Sequence, residues 1–438
     1  AAARADFKQA IKIEPNFIPP YFNLARIDVA EEKIDSAMTQ IEAVFDVDKD
    51  NSQAYIALGE LATRVGKQEL AIKYWSQARE LDPGSGTARA ALARSYRATG
   101  ELLKAKEMIA EAYQVAPYQP LVQYEYAQIH VLTGNSAAAK PVIEKLQKRF
   151  PDSLRILELR VAAARASGNE NELVDALTQV IALAPQSIKA HRLLVASYVR
   201  QELHEEARMV AKSLGEHEGL SSAALELGGD ISYAKNELEQ ALSEYEEAFA
   251  IEPSTSVVLK LDQVERRLGK PSNRLAEWYE KNPDDRTLKF QLAANTHAKG
   301  KIEDARKTFE DLLAENPDNP VVLNNLAWIY HELGDERSLS YAERANKLSP
   351  GNAEIIDTYG WILLGNGKIE RAIRLISEAV NKAPDNPDIR FHYAKALVEV
   401  GQENQAVEEL SRILGEGKKQ FASMTEAEAL LQSLQDEG

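Results

Sequence analysis

The chain repeats itself with a period of 34 residues, and this period restricts the fold more than any other feature. Small or apolar residues mark it at Ala3, Ala37, Ala71, Ala105, Ala139, Leu173, Ala207 and Ala241 and, after one shorter unit, at Ala305, Ala372 and Ala406. Glycines follow in phase at Gly66, Gly100, Gly134, Gly168, Gly300, Gly334, Gly367 and Gly401. A fixed period of this length predicts stacked copies of one small unit, each burying its apolar face against its neighbours.

Each copy is predicted to form two antiparallel helices joined by a turn. In the unit that begins at Ser52, apolar residues recur at helical spacing on both sides of Gly66. Pro83 closes the unit, because proline lacks an amide donor and restricts the residue before it. We expect Gly59 to let the first helix approach the second near Ala71, while Trp75 fills the gap above. Small counterparts of Gly59 occur at Ala93, Ala127, Ala327 and Gly360.

The order of these marker residues resembles the signature of the tetratricopeptide-repeat (TPR) family over nearly the whole chain. The resemblance implies an all-α fold, a superhelical solenoid of helix-turn-helix hairpins with a C-terminal capping helix. We predict the second helix of a truncated repeat at 1–17, repeat units 1–6 at 18–221, irregular units 7 and 8 at 222–285, units 9–12 at 286–418, and a capping helix with a tail at 419–438.

Two repeat units depart from the pattern. The end of the array also requires a capping helix. The unit that ends at Gly219 lacks the closing proline, and the one that ends at Pro283 is four residues short. The last hairpin has no following neighbour, so a helix from about Ser423 to Leu434 should cover its apolar face. The polar outer surface of that helix would be formed by Glu426, Glu428, Gln432 and Gln435.

Composition limits the classes of partner. The 438 residues carry 68 acidic and 52 basic side chains, a net charge of −16 that disfavours nucleic acid as a partner. The absence of cysteine excludes disulfides and thiolate metal sites. No apolar stretch is long enough to span a bilayer. Because the sequence starts at Ala1 within a repeat, we expect earlier sequence, in which a signal peptide or lipid anchor would lie.

The sequence contains no pattern typical of catalysis. Its seven histidines form no H-E-x-x-H motif or other helix-face metal pair. The tripeptide before Lys368 lacks the spacing of a phosphate-binding loop and is better explained as a hairpin turn. Carboxylates lie on surface faces and at the ends of units, where capping and solvation explain them. We therefore predict no enzyme activity, no catalytic residues, no metal and no cofactor.

In the TPR family, positions two, five, nine and twelve of each repeat point into the concave groove. We call each such position, compared across the repeats, a column, and these columns give two candidate surfaces. A basic candidate contains Arg94, Arg97, Arg155, Arg165, Lys189 and Arg192. An acidic ligand segment would suit it. Alternatively, these are solvated charges paired with nearby carboxylates such as Glu158, and such pairs contribute little.

The second and preferred candidate combines flat aromatic rings with hydrogen-bonding groups: Asn324, Trp328, His331, Asp357, Trp361 and Phe391. Tryptophan is enriched in binding hot spots, and two of the four in this chain share one column here. The alternative is packing between repeats. Asn324 stands where TPR clamps for a peptide carboxylate carry asparagine, but Asp357 and Trp361 replace the accompanying basic residues, so no chaperone-tail clamp is predicted.

The C-terminal stretch resembles the TPR lipoproteins of bacterial PEP-CTERM and exosortase systems. The resemblance rests on Ala-Trp-Ile-Tyr at 327–330, Tyr-Gly-Trp-Ile-Leu at 359–363 and the ending E-A-x-x-L-L at 426–431. It implies a periplasmic lipoprotein, anchored through an N-terminal cysteine outside this sequence, that takes part in exopolysaccharide production or surface-protein sorting. Cellulose- or alginate-export subunits are a related alternative, as is a cytoplasmic location.

The functional hypothesis is a non-catalytic scaffold that binds protein or peptide segments along its groove. Two alternatives stay open. The groove would bind exopolysaccharide if Trp328, Trp361 and Phe391 stack on sugar rings while Asn324 and Asp357 bond to hydroxyl groups. In the other alternative, the chain is the interaction domain of a larger enzyme.

Overall fold

The structure is a computed structural model that describes residues 2–415 and 421–437. Over these ranges every regular element is a helix, so the predicted all-α solenoid class is confirmed. The chain forms two compact units, Ala1–Glu252 and Pro253–Gly438. None of the helices in the described part of the chain combines the length and apolar character that crossing a bilayer requires.

The first unit consists of one leading helix and seven helical hairpins, in which each even-numbered helix packs against the next. Its helices are α1 (Ala2–Ile13), α2 (Pro19–Ala30), α3 (Ile34–Glu42), α4 (Ser52–Arg64), α5 (Gln68–Leu81), α6 (Gly86–Ala98), α7 (Leu102–Val115), α8 (Pro120–Leu132), α9 (Ser136–Arg149), α10 (Leu154–Ser167), α11 (Glu170–Leu183), α12 (Ile188–Arg200), α13 (His204–Gly215), α14 (Ser221–Ala234) and α15 (Leu238–Ile251). A short 3₁₀ turn, Ala43–Asp46, follows α3.

The second unit contains five hairpins and a final single helix. Its helices are α16 (Thr255–Arg267), α17 (Arg274–Lys281), α18 (Arg286–Ala298), α19 (Ile302–Glu315), α20 (Pro320–Glu332), α21 (Arg337–Leu348), α22 (Ala353–Gly365), α23 (Ile369–Lys382), α24 (Pro387–Glu399), α25 (Glu403–Leu414) and α26 (Met424–Glu437). The predicted short unit corresponds to α17, which has only 8 residues.

The predicted boundaries can be compared with these helices. The first hairpin begins at Pro19 and α18 begins at Arg286, next to the predicted boundaries, whereas α14 begins at Ser221, one residue before its predicted start. The junction between the two compact units lies within the range predicted to be irregular, 222–285. The predicted boundary between 418 and 419 lies outside the described residues.

Helix α26 caps the second unit as expected. Its Ala427 is fully buried in a cluster with Leu410, and Leu430 packs on the same cluster. The four polar residues predicted to face outward, Glu426, Glu428, Gln432 and Gln435, are all exposed. The helix therefore buries one apolar stripe and presents a polar surface beyond it.

Close helix packing inside each hairpin depends on the small residue of the first helix. A Cβ atom added to Gly59 would lie 2.6 Å from the Trp75 ring, which is almost completely buried. In a later hairpin, the corresponding atom on Gly360 would lie 2.5 Å from the Ile376 side chain. A larger residue would force the two helices apart in a densely packed core.

The turn between the two helices of a hairpin requires a left-handed backbone. Glycines occupy this position in most hairpins, and Gly168 adopts a φ of 67°. Three hairpins use another residue instead, namely Glu32, Glu202 and Asn236, with φ angles of 60°, 61° and 63°. All three exceptions belong to the first unit, and non-glycine residues in this conformation carry a strain of about 1 kcal/mol or more.

Candidate functional site

The first helices of the last three hairpins, α20, α22 and α24, pack side by side within the second unit. Asparagine caps fix where each begins, because the Asn319, Asn352 and Asn386 side chains accept bonds from backbone amides of the first turn at 2.9 to 3.3 Å. Their neighbouring side chains form a surface that we call the aromatic groove. It consists of Asn324, Trp328, His331, Asp357, Trp361, His392 and Lys395.

A stack of rings forms the centre of the aromatic groove. The His392 ring lies 4.1 Å from the Trp361 ring and 6.1 Å from the Trp328 ring between centroids, and is nearly parallel to both. Trp328 and Trp361 are half-buried. The Trp328 indole N–H donates to Oε1 of Glu332 at 2.8 Å. The two tryptophans are therefore held around one imidazole, which limits their rotamers before any ligand binds.

The buried carboxyl group of Asp357 fixes the orientation of the His392 imidazole. The His392 Nδ1 and Asp357 Oδ2 atoms are 2.7 Å apart, and both side chains are 9% exposed. Burial raises the pKa of Asp357, against the opposing influence of the bond to His392. The pair is a buried hydrogen bond between α22 and α24, so it fixes the register of the stack.

Two oxygen atoms in the aromatic groove have no hydrogen-bond partner among the described residues. They are Oδ1 of Asn324 and Oδ1 of Asp357, each withdrawn from solvent. A buried acceptor without a donor destabilises a structure by about 1–3 kcal/mol.

A cleft of about 340 Å³ opens beside Trp361. Its apolar walls are Leu364, Ile369, Val398 and Leu430, and its other lining residues are His331, Trp361, Gly365, Gly367, Lys395 and Glu399. A Cβ atom on Gly365 would lie 2.9 Å from Cε1 of His331, so the missing side chain leaves space for that ring. Burial lowers the pKa of His331, which keeps its imidazole neutral near pH 7.

A second surface lies on α6, α8 and α10 of the first unit, and we call it the basic groove. Its centre is Glu125 on α8, with a fully buried carboxylate. Arg97 approaches this carboxylate to 3.5 Å and Arg155 to 3.9 Å. Burial raises the pKa of Glu125, while the positive charges of Arg97, Arg94 and Arg155 oppose the rise. The arginines therefore surround an internal acid.

Further along the first unit, the remaining basic residues divide between an ion pair and a cleft. Arg192 pairs with Glu226 at 3.3 Å. Arg165 and Lys189 line a cleft of about 110 Å³ together with Glu158. The carboxylates that pair with the predicted arginines are thus Glu125 and Glu226, and the expected role for Glu158 was wrong.

Comparison with known families decides what these hairpins are. Two stretches, residues 308–337 and 363–431, match models of the family described as "Tetratricopeptide repeat". The hairpins in these two stretches are tetratricopeptide repeats. The TPR assignment confirms the resemblance drawn from the spacing of glycine, alanine and proline.

Two relatives of this chain carry names linked to polysaccharides. Vi polysaccharide export protein VexE of Salmonella typhi is 32% identical over 124 residues, 27% of this chain and 19% of the relative. Cellulose synthase operon protein C of Pseudomonas fluorescens is 24% identical over 401 residues, 81% of this chain and 30% of the relative. The chain thus spans less than a third of either relative. Among solved structures, the APC/C hetero-tetramer Cut9-Hcn1 is similar with 12% identity and a TM-score of 0.47, covering 95% of this chain and 96% of that one.

Of the six residues predicted for the preferred TPR surface, five lie in the aromatic groove and one does not. Phe391 is 3% exposed and packs in a core cluster with Leu397 and Leu410. Its selection as a contact residue was wrong, because α24 turns that position toward α25 and α26 instead of the groove.

Sequence reasoning missed His392, the residue that joins the stack together. The family columns select Phe391 at the fifth position of its unit, and His392 is the next residue. A signal was present in the sequence, because His392 follows Trp361 by 31 residues and therefore lies nearly one turn before the position equivalent to Trp361. A long side chain one turn away can reach the same neighbours.

In residues 2–415 and 421–437, histidine, aspartate and glutamate side chains form no group of three that could hold a metal ion.

Proposed function

We propose that the chain is a non-catalytic TPR scaffold that binds segments of partner proteins in the aromatic groove. We place it in bacterial envelope machinery for exopolysaccharide production or export, or for sorting of surface proteins. Its proposed location is the periplasm, with a lipid anchor outside this sequence. TPR scaffolds mediate interactions between proteins, and the two relatives named for polysaccharide export and cellulose synthesis support the biological setting.

The observation that carries the binding site is the pair of half-exposed tryptophans beside an apolar cleft. Trp328 and Trp361 offer apolar area that His392 holds in place. An extended peptide supplies apolar side chains at regular spacing that can pack on this area. The cleft beside Trp361 would then accept one apolar side chain of the partner.

Affinity capture from envelope extract of the bacterium that encodes this chain tests the proposal. Wild-type protein and a Trp328→Ala/Trp361→Ala variant serve as bait, and mass spectrometry identifies what each retains. We expect proteins of the polysaccharide machinery with the wild type and at least a tenfold loss with the variant, because truncating hot-spot tryptophans removes about 2 kcal/mol or more each. The strongest candidate is then purified and its affinity measured directly.

A matched control separates groove effects from general loss of apolar surface. Leu103→Ala/Met209→Ala removes two large, exposed side chains, 85% and 65% exposed, from second helices of hairpins. This variant should retain the same partners. Circular dichroism must show equal helix content for all three proteins, and equal capture by both variants would exclude the aromatic groove as the binding site.

A second candidate function is binding of the polysaccharide itself, favoured by the tryptophans and by the names of the two relatives. The ring stack argues against it. His392 already stacks on Trp361, and the Lys395 ammonium lies 5.6 Å from the centroid of the same ring, which reduces the open face available to a sugar. Calorimetric titration with cello-oligosaccharides distinguishes the two functions. Saturable binding that Trp361→Ala abolishes would favour the carbohydrate function.

A further inference from the structure

The basic groove of the first unit contains several arginines around one buried carboxyl group, and it is remote in sequence from the aromatic groove. We propose that the basic groove binds an acidic peptide segment of a partner, and that Glu125 acts as an internal competitor that lowers the affinity. The inference does not depend on the function assigned to the aromatic groove. It rests on Arg94, Arg97, Arg155 and Glu125.

The local charge balance favours an anion. Arg94, Arg97 and Arg155 all act electrostatically on the single carboxyl group of Glu125, so positive charges outnumber negative charges in this cluster. The whole chain has a net charge of −16, so this cluster has the opposite sign to the molecule. A positive cluster in a groove attracts acidic ligands and increases their rate of association.

The geometry leaves bonding capacity unused. The closest contacts between guanidinium and carboxylate are 3.5 Å for Arg97 and 3.9 Å for Arg155, whereas charge-assisted bonds of this type are about 2.8 Å long. Neither oxygen of Glu125 accepts a hydrogen bond from a described residue. Glu125 therefore attracts Arg155 without a close bond, and the donors of this arginine, 60% exposed, stay available to another carboxylate.

One arginine is already oriented for binding. The Arg155 guanidinium lies 4.0 Å from the centroid of the Tyr124 ring, while its side chain is 60% exposed. Stacking on an aromatic face restrains the plane of the guanidinium fork. An incoming carboxylate would meet a donor that has lost part of its freedom before binding, which reduces the entropic cost of the contact.

A peptide fits the neighbouring surface better than an acidic polysaccharide. The cleft formed by α10 to α12 has apolar walls at Val161, Leu177 and Leu193, and its charged lining residues are Arg165, Lys189 and Glu158. Apolar walls next to cations match a chain in which acidic and apolar side chains alternate. A uronic acid polymer would supply the carboxylates but no apolar side chain for the cleft.

Fluorescence anisotropy on the full chain tests the proposal. The probe is a fluorescein-labelled peptide of ten residues that alternates Glu and Leu, and the control probe carries Lys in place of Glu. Only the acidic probe should bind, more weakly as salt rises. Arg155→Gln should weaken binding roughly tenfold, since a bond between charged groups is lost at an exposed site with little effect on the core.

Glu125→Gln tests the competitor. It keeps the side-chain shape and removes the negative charge, so we expect binding to tighten several-fold. Glu111→Gln is the matched control, because it removes a carboxylate from the preceding hairpin, where Glu111 on α7 pairs with Arg89 at 3.3 Å. That variant should bind as wild type, and circular dichroism should show equal helix content throughout.

Three results would overturn the proposal. Unchanged affinity in Arg155→Gln would exclude the basic groove as the site. Weaker binding in Glu125→Gln would show that the carboxylate supports the ligand and does not compete with it. An oligo-uronide that binds more tightly than the peptide, with the same dependence on Arg155, would assign the surface to acidic polysaccharide. The Trp328→Ala/Trp361→Ala variant should bind the acidic probe normally, so failure of the aromatic-groove proposal would be seen separately.

Discussion

The two grooves use the same kind of helix for different chemistry. Each is lined by the first helices of consecutive hairpins, and each contains a carboxyl group that is nearly or fully buried, Glu125 in the basic groove and Asp357 in the aromatic groove. Asp357 forms a direct hydrogen bond, and its effect is to fix a ring. Glu125 forms longer contacts to several arginines. The comparison shows that a buried acid can order a TPR groove either by bonding or by attraction at a distance.

Removing the acid should therefore change the free energy of unfolding in opposite directions in the two grooves. We expect the larger change in the second unit. Asp357→Ala leaves Nδ1 of His392 without its partner in a buried site. We expect the free energy of unfolding of this unit to fall by about 2 kcal/mol, the usual result of an unsatisfied buried group. Urea unfolding followed by tryptophan fluorescence reports it, because three of the four tryptophans, Trp278, Trp328 and Trp361, belong to the second unit.

Asp357→Asn is the control for that measurement. The amide has nearly the same shape and can still bond to the ring nitrogen, so we expect less than half of the loss. If both variants unfold at the wild-type urea concentration, the pair contributes nothing to stability, and the distinction between bonding and attraction has no support.

The cleft next to the aromatic groove has a distinct requirement for a small residue. Gly365→Ala would place a methyl group 2.9 Å from the His331 ring and displace it. We expect a loss of about 1–2 kcal/mol from overpacking, together with weaker capture of the partner. Gly351→Ala is the matched control, since an added Cβ there would meet no atom within 4 Å and its backbone is compatible with alanine. Equal effects of the two changes would show that His331 is free to move.

The turns provide a further contrast between the units. In the second unit the turn positions with positive φ are all glycine, whereas Glu202 and Asn236 hold this conformation in the first unit. Glu202→Gly should stabilise the first unit by about 1 kcal/mol, because it relieves left-handed strain. Asn236→Gly should gain less, because asparagine tolerates this conformation. Circular dichroism during urea unfolding measures both, and a loss of stability in Glu202→Gly would indicate that the glutamate side chain makes a stabilising contact.

The sequence predicted the fold better than the grooves, for a physical reason. A fold built on repeats needs the same small, apolar and turn residues in every repeat. Positions such as Gly59, Ala71 and Gly66 can therefore be recognised in the sequence, because equivalent residues recur at a fixed period. Groove residues differ from repeat to repeat, so the family resemblance predicts only which positions of a repeat face the groove. Trp328, Trp361 and Asp357 fell in the right column. His392 did not, because its side chain reaches the stack from an adjacent position.

Burial explains the two remaining errors. The column placed Phe391 in the groove, but the cap formed by α26 completes a core there that a column taken from internal repeats does not contain. A search for positive charge identified Arg97 and Arg155 but not Glu125, since a single acid between them looks like an ordinary surface residue in the sequence. Its burial becomes apparent only when α6, α8 and α10 are packed together.

The smallest expected effect concerns Glu125, and it is a dependence on pH. Burial raises the pKa of Glu125 in the folded state above its value in the unfolded chain. Below the unfolded pKa the group is protonated in both states and contributes no penalty. As the pH rises through the folded pKa, the buried group ionises and stability is lost, since the unfolded state releases the proton more easily. Glu125→Gln lacks this loss, so its stability relative to wild type should increase from acidic to neutral pH and then level off.

Urea unfolding of both proteins at a series of pH values gives that difference directly. Subtracting one curve from the other cancels the titration of every other carboxyl group that the two proteins share. Glu111→Gln again serves as the control and should not reproduce the increase. A difference that stays constant with pH would mean that the arginines fully compensate the buried charge. In that case the basic groove would resemble the aromatic groove, with an acid satisfied by its partners, and its guanidinium donors would no longer be available to a ligand.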